Sequence, residues 1–202
     1  MQKSGRPAKS EINNNSREEL INAAARIISR EGTNNLTIRN ICQEANLSIG
    51  TFYHFFTDKN DLIMTFITEP SFSDIKLLSP LNNISQRITE LYNFLIQRYI
   101  KFGREFVKSF YNPCNKILSA YMGEHENKFL SGSIMERSEQ ELNNALAENI
   151  IKLPENISTH EIASDICTIV KGCVFEWCLC DDDINIYSLT ERIIANYMSK
   201  YV

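Results

Sequence analysis

Apolar residues recur along this chain in steps of three or four, which is the spacing of one face of an α-helix. The longest run of this kind has apolar residues at positions 84, 88, 91, 95, 99, 102, 106 and 110. No segment shows the strict alternation of apolar and polar residues that indicates a β-strand. The pattern therefore predicts an all-α protein.

Capping residues, glycines and prolines predict where the N-terminal helices begin and end. We expect a flexible basic arm over residues 1–11, and then a helix that begins at the capping box Ser16–Glu19 and ends at Gly32. Another helix is expected to begin at the cap Thr57–Asp58 and to end at Pro70.

The rest of the chain is also predicted to be helical. The run from Ile84 to Phe110 indicates one long helix, or two helices that join near Gly103. We place a domain boundary in the stretch Pro70–Pro80, between an N-terminal domain (1–68) and a larger C-terminal domain (69–202). Further helices are expected over about 115–123, 133–152, 159–181 and 187–200.

Two short helices are predicted between positions 37 and 55, because the same N-terminal capping signal occurs twice. Thr37 and Ser48 are both suited to cap a helix. Between the helices, Asn46 tolerates the left-handed conformation that a tight turn requires. An apolar pair that can form a hydrophobic staple flanks each cap: Leu36 with Ile41, and Leu47 with Phe52. Together these features predict a helix-turn-helix.

The second of these helices has the chemistry of a helix that enters the DNA major groove. Gly50 removes a side chain where the helix would meet the groove, and Ile49 can touch a thymine methyl group. Hydroxyl, phenol, imidazole and basic side chains surround these two positions. The residues expected to contact DNA are Thr37, Arg39, Ser48, Ile49, Gly50, Thr51, Tyr53, His54 and Lys59.

The segment from Leu36 to Leu62 resembles the DNA-binding domain of the TetR family of bacterial regulators. The resemblance rests on Gly50-Thr51-Phe52-Tyr53-His54-Phe55-Phe56 and on Lys59-Asn60-Asp61-Leu62. This sequence departs from the family pattern at Asn46, where glycine is usual, and at Cys42, where alanine is usual. The resemblance implies that operator DNA is contacted by Thr37, Arg39, Ser48, Thr51, Tyr53, His54 and Lys59.

The resemblance also implies a homodimer whose last two helices form the subunit interface, and a C-terminal domain that binds a small effector. It implies an all-α fold with an N-terminal three-helix helix-turn-helix domain and a larger effector-binding and dimerisation domain. We therefore expect a cytoplasmic, sequence-specific transcriptional regulator that binds double-stranded operator DNA. Repression, released by the effector, is the family's usual mode.

Two sets of C-terminal residues are candidates for these roles. The helix predicted over 159–181 is apolar nearly all round, so a second subunit is a candidate to cover the face that its own domain leaves exposed. The residues expected at the dimer interface are Ile166, Val170, Val174, Ile193 and Tyr197. Residues expected to line a pocket for a hydrophobic or aromatic effector are Tyr99, Phe102, Phe106, Tyr121, Phe175 and Trp177. Burial in the core of a monomer is the alternative for both sets.

The charge distribution permits DNA binding without favouring strong non-specific binding. The chain has a net charge of −4, but residues 1–62 contain eight Lys/Arg against seven Asp/Glu, and the remainder 13 against 18. Few basic residues are available to displace counterions from DNA. Gly5-Arg6-Pro7, flanked by Lys3 and Lys9, indicates either an arm that reads the minor groove or a solvated tail.

Other functional classes find less support. The three histidines are scattered, and no nucleotide-binding loop, nucleophile elbow or complete calcium loop occurs, so we expect no catalysis, no cofactor and no metal. No apolar run approaches the ~20 residues of a membrane span. The cysteines clustered over 167–180 read as small buried hydrophobes or, alternatively, as a thiol or metal sensor. An interaction module that acts mainly through a protein partner is the alternative function.

Overall fold

The computed structural model describes residues 9–32, 35–69, 71–111, 128–180 and 184–202. These residues form nine α-helices and a short 3₁₀ helix, Phe72–Asp74, and no β-strand runs through them. The α-helices are α1 (Lys9–Glu31), α2 (Ile38–Glu44), α3 (Ile49–Phe55), α4 (Lys59–Thr68), α5 (Ile84–Phe102), α6 (Arg104–Phe110), α7 (Ile134–Ala147), α8 (Thr159–Leu179) and α9 (Ile186–Met198). The predicted all-α fold is confirmed. No helix in the described part of the chain is long and apolar enough to cross a membrane.

The predicted start of the first helix is wrong. Helix α1 begins at Lys9, so Ser16 lies inside the helix and residues 9–11 are helical rather than part of an arm. No glycine or proline interrupts residues 9–15, and adding a residue to an existing helix forms a hydrogen bond without a new nucleation cost. The remainder of the predicted arm, residues 1–8, lies outside the described residues.

Two left-handed residues set the helix ends of the C-terminal part. Gly103, with φ of 81°, separates α5 from α6, so the two-helix alternative for residues 84–110 is the correct one. Asn149, with φ of 58°, follows α7, and the N–H of Ile150 donates to the carbonyl of Ala145 at 2.8 Å. This closure ends α7 at Ala147, earlier than the predicted 152. The helix predicted over 115–123 lies outside the described residues.

The chain divides into two compact units, Met1–Phe66 and Ile67–Val202. Within the first unit, α1 packs against α2 and α3. Within the second unit, α5 and α8 are central, and each packs against α6, α7 and α9. The division falls two residues before the expected boundary, inside α4.

A buried ion network fastens residues 71–80 to the helices of the second unit. Glu141, 3% exposed, binds Arg87 at 2.6 Å and Arg137 at 2.8 Å, and we call these three residues the buried trio. Both arginines also donate to backbone carbonyls of the segment, Arg137 to Ser73 at 2.9 Å and Arg87 to Ser79. The arginines therefore satisfy two backbone carbonyls that would otherwise need water as a hydrogen-bond donor.

The five described cysteines are free thiols. Burial raises the pKa of the thiols of Cys42, Cys167, Cys173 and Cys178. A raised pKa keeps a thiol protonated and poorly nucleophilic at neutral pH. This environment favours the interpretation of these residues as small buried hydrophobes.

Candidate nucleic-acid interface

Helix α2 begins as the sequence predicts. The side chain of Thr37 accepts a hydrogen bond from the N–H of Asn40 at 3.1 Å, which satisfies a donor of the first turn. Leu36 and Ile41, the expected staple, are both buried. The predicted cap is confirmed, and it turns the Thr37 side chain outward while the staple faces the core.

Helix α3 repeats this arrangement. Ser48 Oγ accepts from the N–H of Thr51 at 3.0 Å and lies 2.8 Å from the hydroxyl of Thr51. Phe52 is fully buried and Leu47 is half-buried. The cap therefore fixes two hydroxyl groups side by side at the N-terminal end of α3, above an aromatic anchor.

The turn between α2 and α3 depends on Asn46. Its φ of 54° is left-handed, a conformation that asparagine adopts more readily than most residues. The turn closes when the N–H of Leu47 donates to the carbonyl of Cys42 at 2.9 Å. Asparagine thus takes the conformational role that glycine takes in the family pattern.

The N-terminus of α4 lies beside that of α2. Asp58 accepts from the N–H of Asn60 at 2.7 Å and of Asp61 at 2.9 Å, which confirms the predicted cap. Asp61 in turn accepts from the N–H of Thr57 at 2.8 Å. Lys59 follows the cap, and its ammonium donates to the carbonyl of Leu36 at 3.4 Å. The predicted contact residues of α2 and α4 therefore lie close together.

The predicted DNA-contacting residues occupy the exposed side of these helices. Thr51 is half-buried, and the other eight are exposed, with Ile49 at 50% and Tyr53 at 58%. Between them, Phe52 and Phe56 are almost fully buried. The ring of Tyr53 meets that of Phe52 edge-on, with 5.6 Å between centroids, so the core supports the exposed phenol.

An exposed ion network holds α1 against the end of α2. Glu44 binds Arg26 at 3.0 Å and Arg30 at 3.1 Å, and we call these three residues the exposed trio. Hydrogen bonds from Arg30, then Arg26, lower the pKa of Glu44. The network uses two of the basic residues counted in the sequence, and Arg39 and Lys59 lie exposed on the candidate interface. Sequence spacing gave no signal for the trio, because its partners are 14 and 18 residues apart.

The residues predicted to line a pocket separate into different environments. Tyr99 and Phe106 are buried and Phe102 is half-buried, and rings run in contact from Phe102 through Phe106 and Phe110 to Tyr111. Trp177 instead lines an open cleft of about 650 Å³, where the guanidinium of Arg104 lies 5.2 Å from its ring centroid. Phe175 is 58% exposed, and Tyr121 lies outside the described residues.

The residues predicted at a dimer interface also separate. Ile166, Val170 and Val174 are at most 2% exposed, so they face the core of their own unit. This placement favours burial within a monomer for these three residues. The opposite side of α8 exposes Phe175 and Leu179, at 58% and 61%. On α9, the predicted Ile193 and Tyr197 are half-buried.

Comparison with known proteins identifies the N-terminal segment. Residues 20–64 match the family described as "Bacterial regulatory proteins, tetR family". An HTH-type transcriptional regulator from Haemophilus influenzae is 37% identical over 49 residues, which are 24% of this chain and 26% of that protein. Only about a quarter of that relative is therefore matched.

Two further relatives match over nearly the whole length. The HTH-type nicotine-responsive transcriptional repressor HdnoR of Paenarthrobacter nicotinovorans is 20% identical over 187 residues, which cover 91% of this chain and 94% of that protein. A solved TetR-family structure from Syntrophomonas wolfei superposes with a TM-score of 0.64 at 17% identity, covering 93% of this chain and 95% of the other. At these identities the likeness establishes a shared fold.

Proposed function

We propose that this chain, whose residues 20–64 match the TetR family of bacterial regulatory proteins, is a sequence-specific DNA-binding transcriptional regulator that represses its target until a small effector releases it. The observation that carries this proposal is the exposed face of α3 and its neighbours. Polar and basic side chains lie outward there, on helices whose caps and buried aromatic residues fix their direction.

In this proposal the N-terminal end of α3 enters the major groove of operator DNA. The paired hydroxyls of Ser48 and Thr51 are placed to bond to base edges or phosphates, and Ile49 to touch a thymine methyl group. Phosphate contacts come from Tyr53 and His54 on α3, and from Thr37, Arg39 and Lys59 at the neighbouring N-terminal ends of α2 and α4. Phosphate contacts position the protein, and base contacts provide the specificity.

Gly50 offers a sharp test, because protein and DNA would respond oppositely to a side chain there. A Cβ at Gly50 would find only Ser48 Oγ, at an ordinary contact distance of 3.6 Å. Gly50→Ala should therefore leave stability unchanged or raise it by up to about 1 kcal/mol, because alanine favours a helix. In fluorescence anisotropy with DNA flanking the protein's own gene, the added methyl should weaken binding by roughly tenfold or more, about 1.4 kcal/mol. Unchanged affinity would contradict this docking.

Charge substitutions test the phosphate contacts independently. Lys59→Ala should reduce the slope of log K against log salt by about 0.9, the value for one phosphate contact. Lys152→Ala removes the same charge from an exposed position in the other unit and serves as the matched control. If Lys59→Ala and Tyr53→Ala both leave affinity and slope unchanged, the protein acts through some other surface, such as a protein partner.

We propose that the regulator is a homodimer, since two copies of α3 must reach half-sites about 34–36 Å apart. The support is the exposed apolar pair Phe175 and Leu179 on α8, together with Ile193 and Tyr197 on α9. Phe175→Glu should shift the species observed by analytical ultracentrifugation from dimer to monomer. Glu161→Gln, at an exposed position near the N-terminal end of the same helix, is the control. It should not change the mass of the sedimenting species.

The effector is proposed to bind in the second unit, among the rings that include Tyr99, Phe102 and Phe106. Release from DNA requires that the effector binds the non-binding conformation more tightly than the DNA-binding one. The measurement is operator affinity with and without each compound that binds the protein. Equal operator affinity under both conditions, for every such compound, contradicts release by an effector.

A further inference from the structure

Three tyrosines bring their phenol groups into the interior of the second unit. Tyr92 and Tyr99 are both fully buried and lie seven residues apart on α5, so they share one face of that helix. Tyr111 follows α6 and meets Tyr99 edge-on, with 5.6 Å between ring centroids.

The hydroxyl groups of these tyrosines differ in their partners. The hydroxyls of Tyr99 and Tyr111 are 2.7 Å apart and bond to each other. The hydroxyl of Tyr92 makes no hydrogen bond with acceptable geometry to the residues that the structure describes. A fully buried polar group without a partner costs free energy, so its presence calls for a physical explanation.

The surroundings of Tyr92 are polar, and one cation lies close by, because the ammonium of Lys171 acts to lower the pKa of the neighbouring Cys167 thiol. Burial, and then the thiol of Cys167, raise the pKa of Tyr92 well above its usual value, and the hydroxyl of Ser138 acts in the opposite direction. Ser138 already donates its own proton to the carbonyl of Ile134 at 2.8 Å. Burial also raises the pKa of Tyr111 and of Cys167, so these groups are neutral at physiological pH.

We infer that the hydroxyl of Tyr92 is a binding group for the effector, and that the effector is an apolar or aromatic compound bearing a hydroxyl or carbonyl group. This inference rests on the proposed function, and it specifies the chemical class of the effector. The unpartnered Tyr92 hydroxyl supplies the hydrogen bond, and the neighbouring aromatic rings supply apolar contact.

Phenol and toluene are suitable probes, because they have nearly the same shape and differ in one hydroxyl group. Their binding to the full chain is measured by ligand-observed NMR without DNA. Phenol should bind to the unmodified protein more tightly than toluene. Tyr92→Phe should weaken phenol binding by about threefold to tenfold, the range expected for one hydrogen bond, and leave toluene binding unchanged.

A second readout distinguishes a ligand-binding hydroxyl from a structural one. If Tyr92 has no internal partner, Tyr92→Phe leaves the melting temperature of the ligand-free protein unchanged or raises it. Tyr187→Phe is the matched control, because Tyr187 lines the separate cleft beside Arg104. It should alter neither phenol binding nor stability.

Three outcomes overturn the inference: no phenol binding at millimolar concentration, phenol binding that Tyr92→Phe leaves unchanged, or a melting temperature that Tyr92→Phe lowers by several degrees. The result is independent of operator binding, since no DNA is present. Phenol binding that depends on Tyr92, combined with unaltered operator affinity, would support this site and contradict release by an effector. Loss of operator binding in Gly50→Ala bears on the DNA-binding proposal alone.

Discussion

Each unit of the protein contains a glutamate held by two arginines, and the two trios differ in their exposure to water. In the exposed trio, the side chain of Glu44 is 24% exposed, and those of Arg26 and Arg30 are 45% and 56% exposed. In the buried trio, the side chain of Glu141 is 4% exposed, and its arginines are 17–19% exposed. Both clusters pair one carboxylate with two guanidinium groups, and they differ in their burial and in the other partners of their arginines.

This difference shows that the contribution of a charge cluster to stability depends on its burial and on the other groups that it binds. Water and ions screen the exposed trio, and its arginines have further acidic partners, since Arg26 also binds Glu19 at 2.7 Å and Arg30 also binds Glu31 at 2.8 Å. The buried trio is screened much less, and its arginines also hold the carbonyls of Ser73 and Ser79. It therefore fixes the path of the chain between α4 and α5.

The largest effect is expected from Glu141→Gln. Glutamine has nearly the same shape but no charge, so it leaves two largely buried arginines without the carboxylate that they share. Removing one partner of a buried ion pair costs about 3–5 kcal/mol. Urea unfolding at neutral pH measures this loss. A loss below about 1 kcal/mol would mean that water reaches the buried trio as freely as the exposed one.

The same substitution in the first unit should have a much smaller effect. Glu44→Gln is expected to reduce the free energy of unfolding by only a small fraction of the loss caused by Glu141→Gln, because exposed ion pairs contribute little. It also removes one negative charge beside Arg26 and Arg30, which keep Glu19 and Glu31 as partners, so non-specific affinity for DNA at low salt should increase slightly. A stability loss equal to that of Glu141→Gln would remove the distinction between the trios.

The smallest effect concerns the pH dependence of the exposed trio. The arginines lower the pKa of Glu44 below its usual 4.5, so the unfolded chain takes up a proton more readily than the folded one. The stabilisation is therefore present above about pH 4.5 and is lost as the pH falls through the lowered pKa. The difference in unfolding free energy between the unmodified protein and Glu44→Gln should shrink in that range. A difference independent of pH would contradict this assignment.

Sequence reasoning worked best where the interactions are local. The caps at Thr37, Ser48 and Asp58 each involve residues two or three positions away, and the turn at Asn46 depends on that residue's own conformation. These signals are contained in segments of only a few residues. The exposed face of the candidate interface could also be predicted, because the caps and staples determine which side chains point inward.

Sequence reasoning was insufficient where packing between distant segments determines which residues are buried or paired. Ile166, Val170 and Val174 fit an interface and a core equally well, and only the neighbouring helices show that this side of α8 faces inward. Arg87 and Glu141 are 54 residues apart, so no local pattern links them. The start of α1 was missed for another reason, since a good capping sequence at Ser16 does not stop a helix that can extend past it.

The pairing of α9 with α5 has a consequence for the order of folding during synthesis. Helix α5 ends at Phe102 and α9 begins at Ile186, so the ribosome needs several more seconds to produce its partner, at about 5–20 residues per second. The contacts of the first unit are all made among residues already synthesised by then. A nascent chain thus contains the complete first unit while the apolar face of α5 is still uncovered, and during that interval chaperone binding competes with folding.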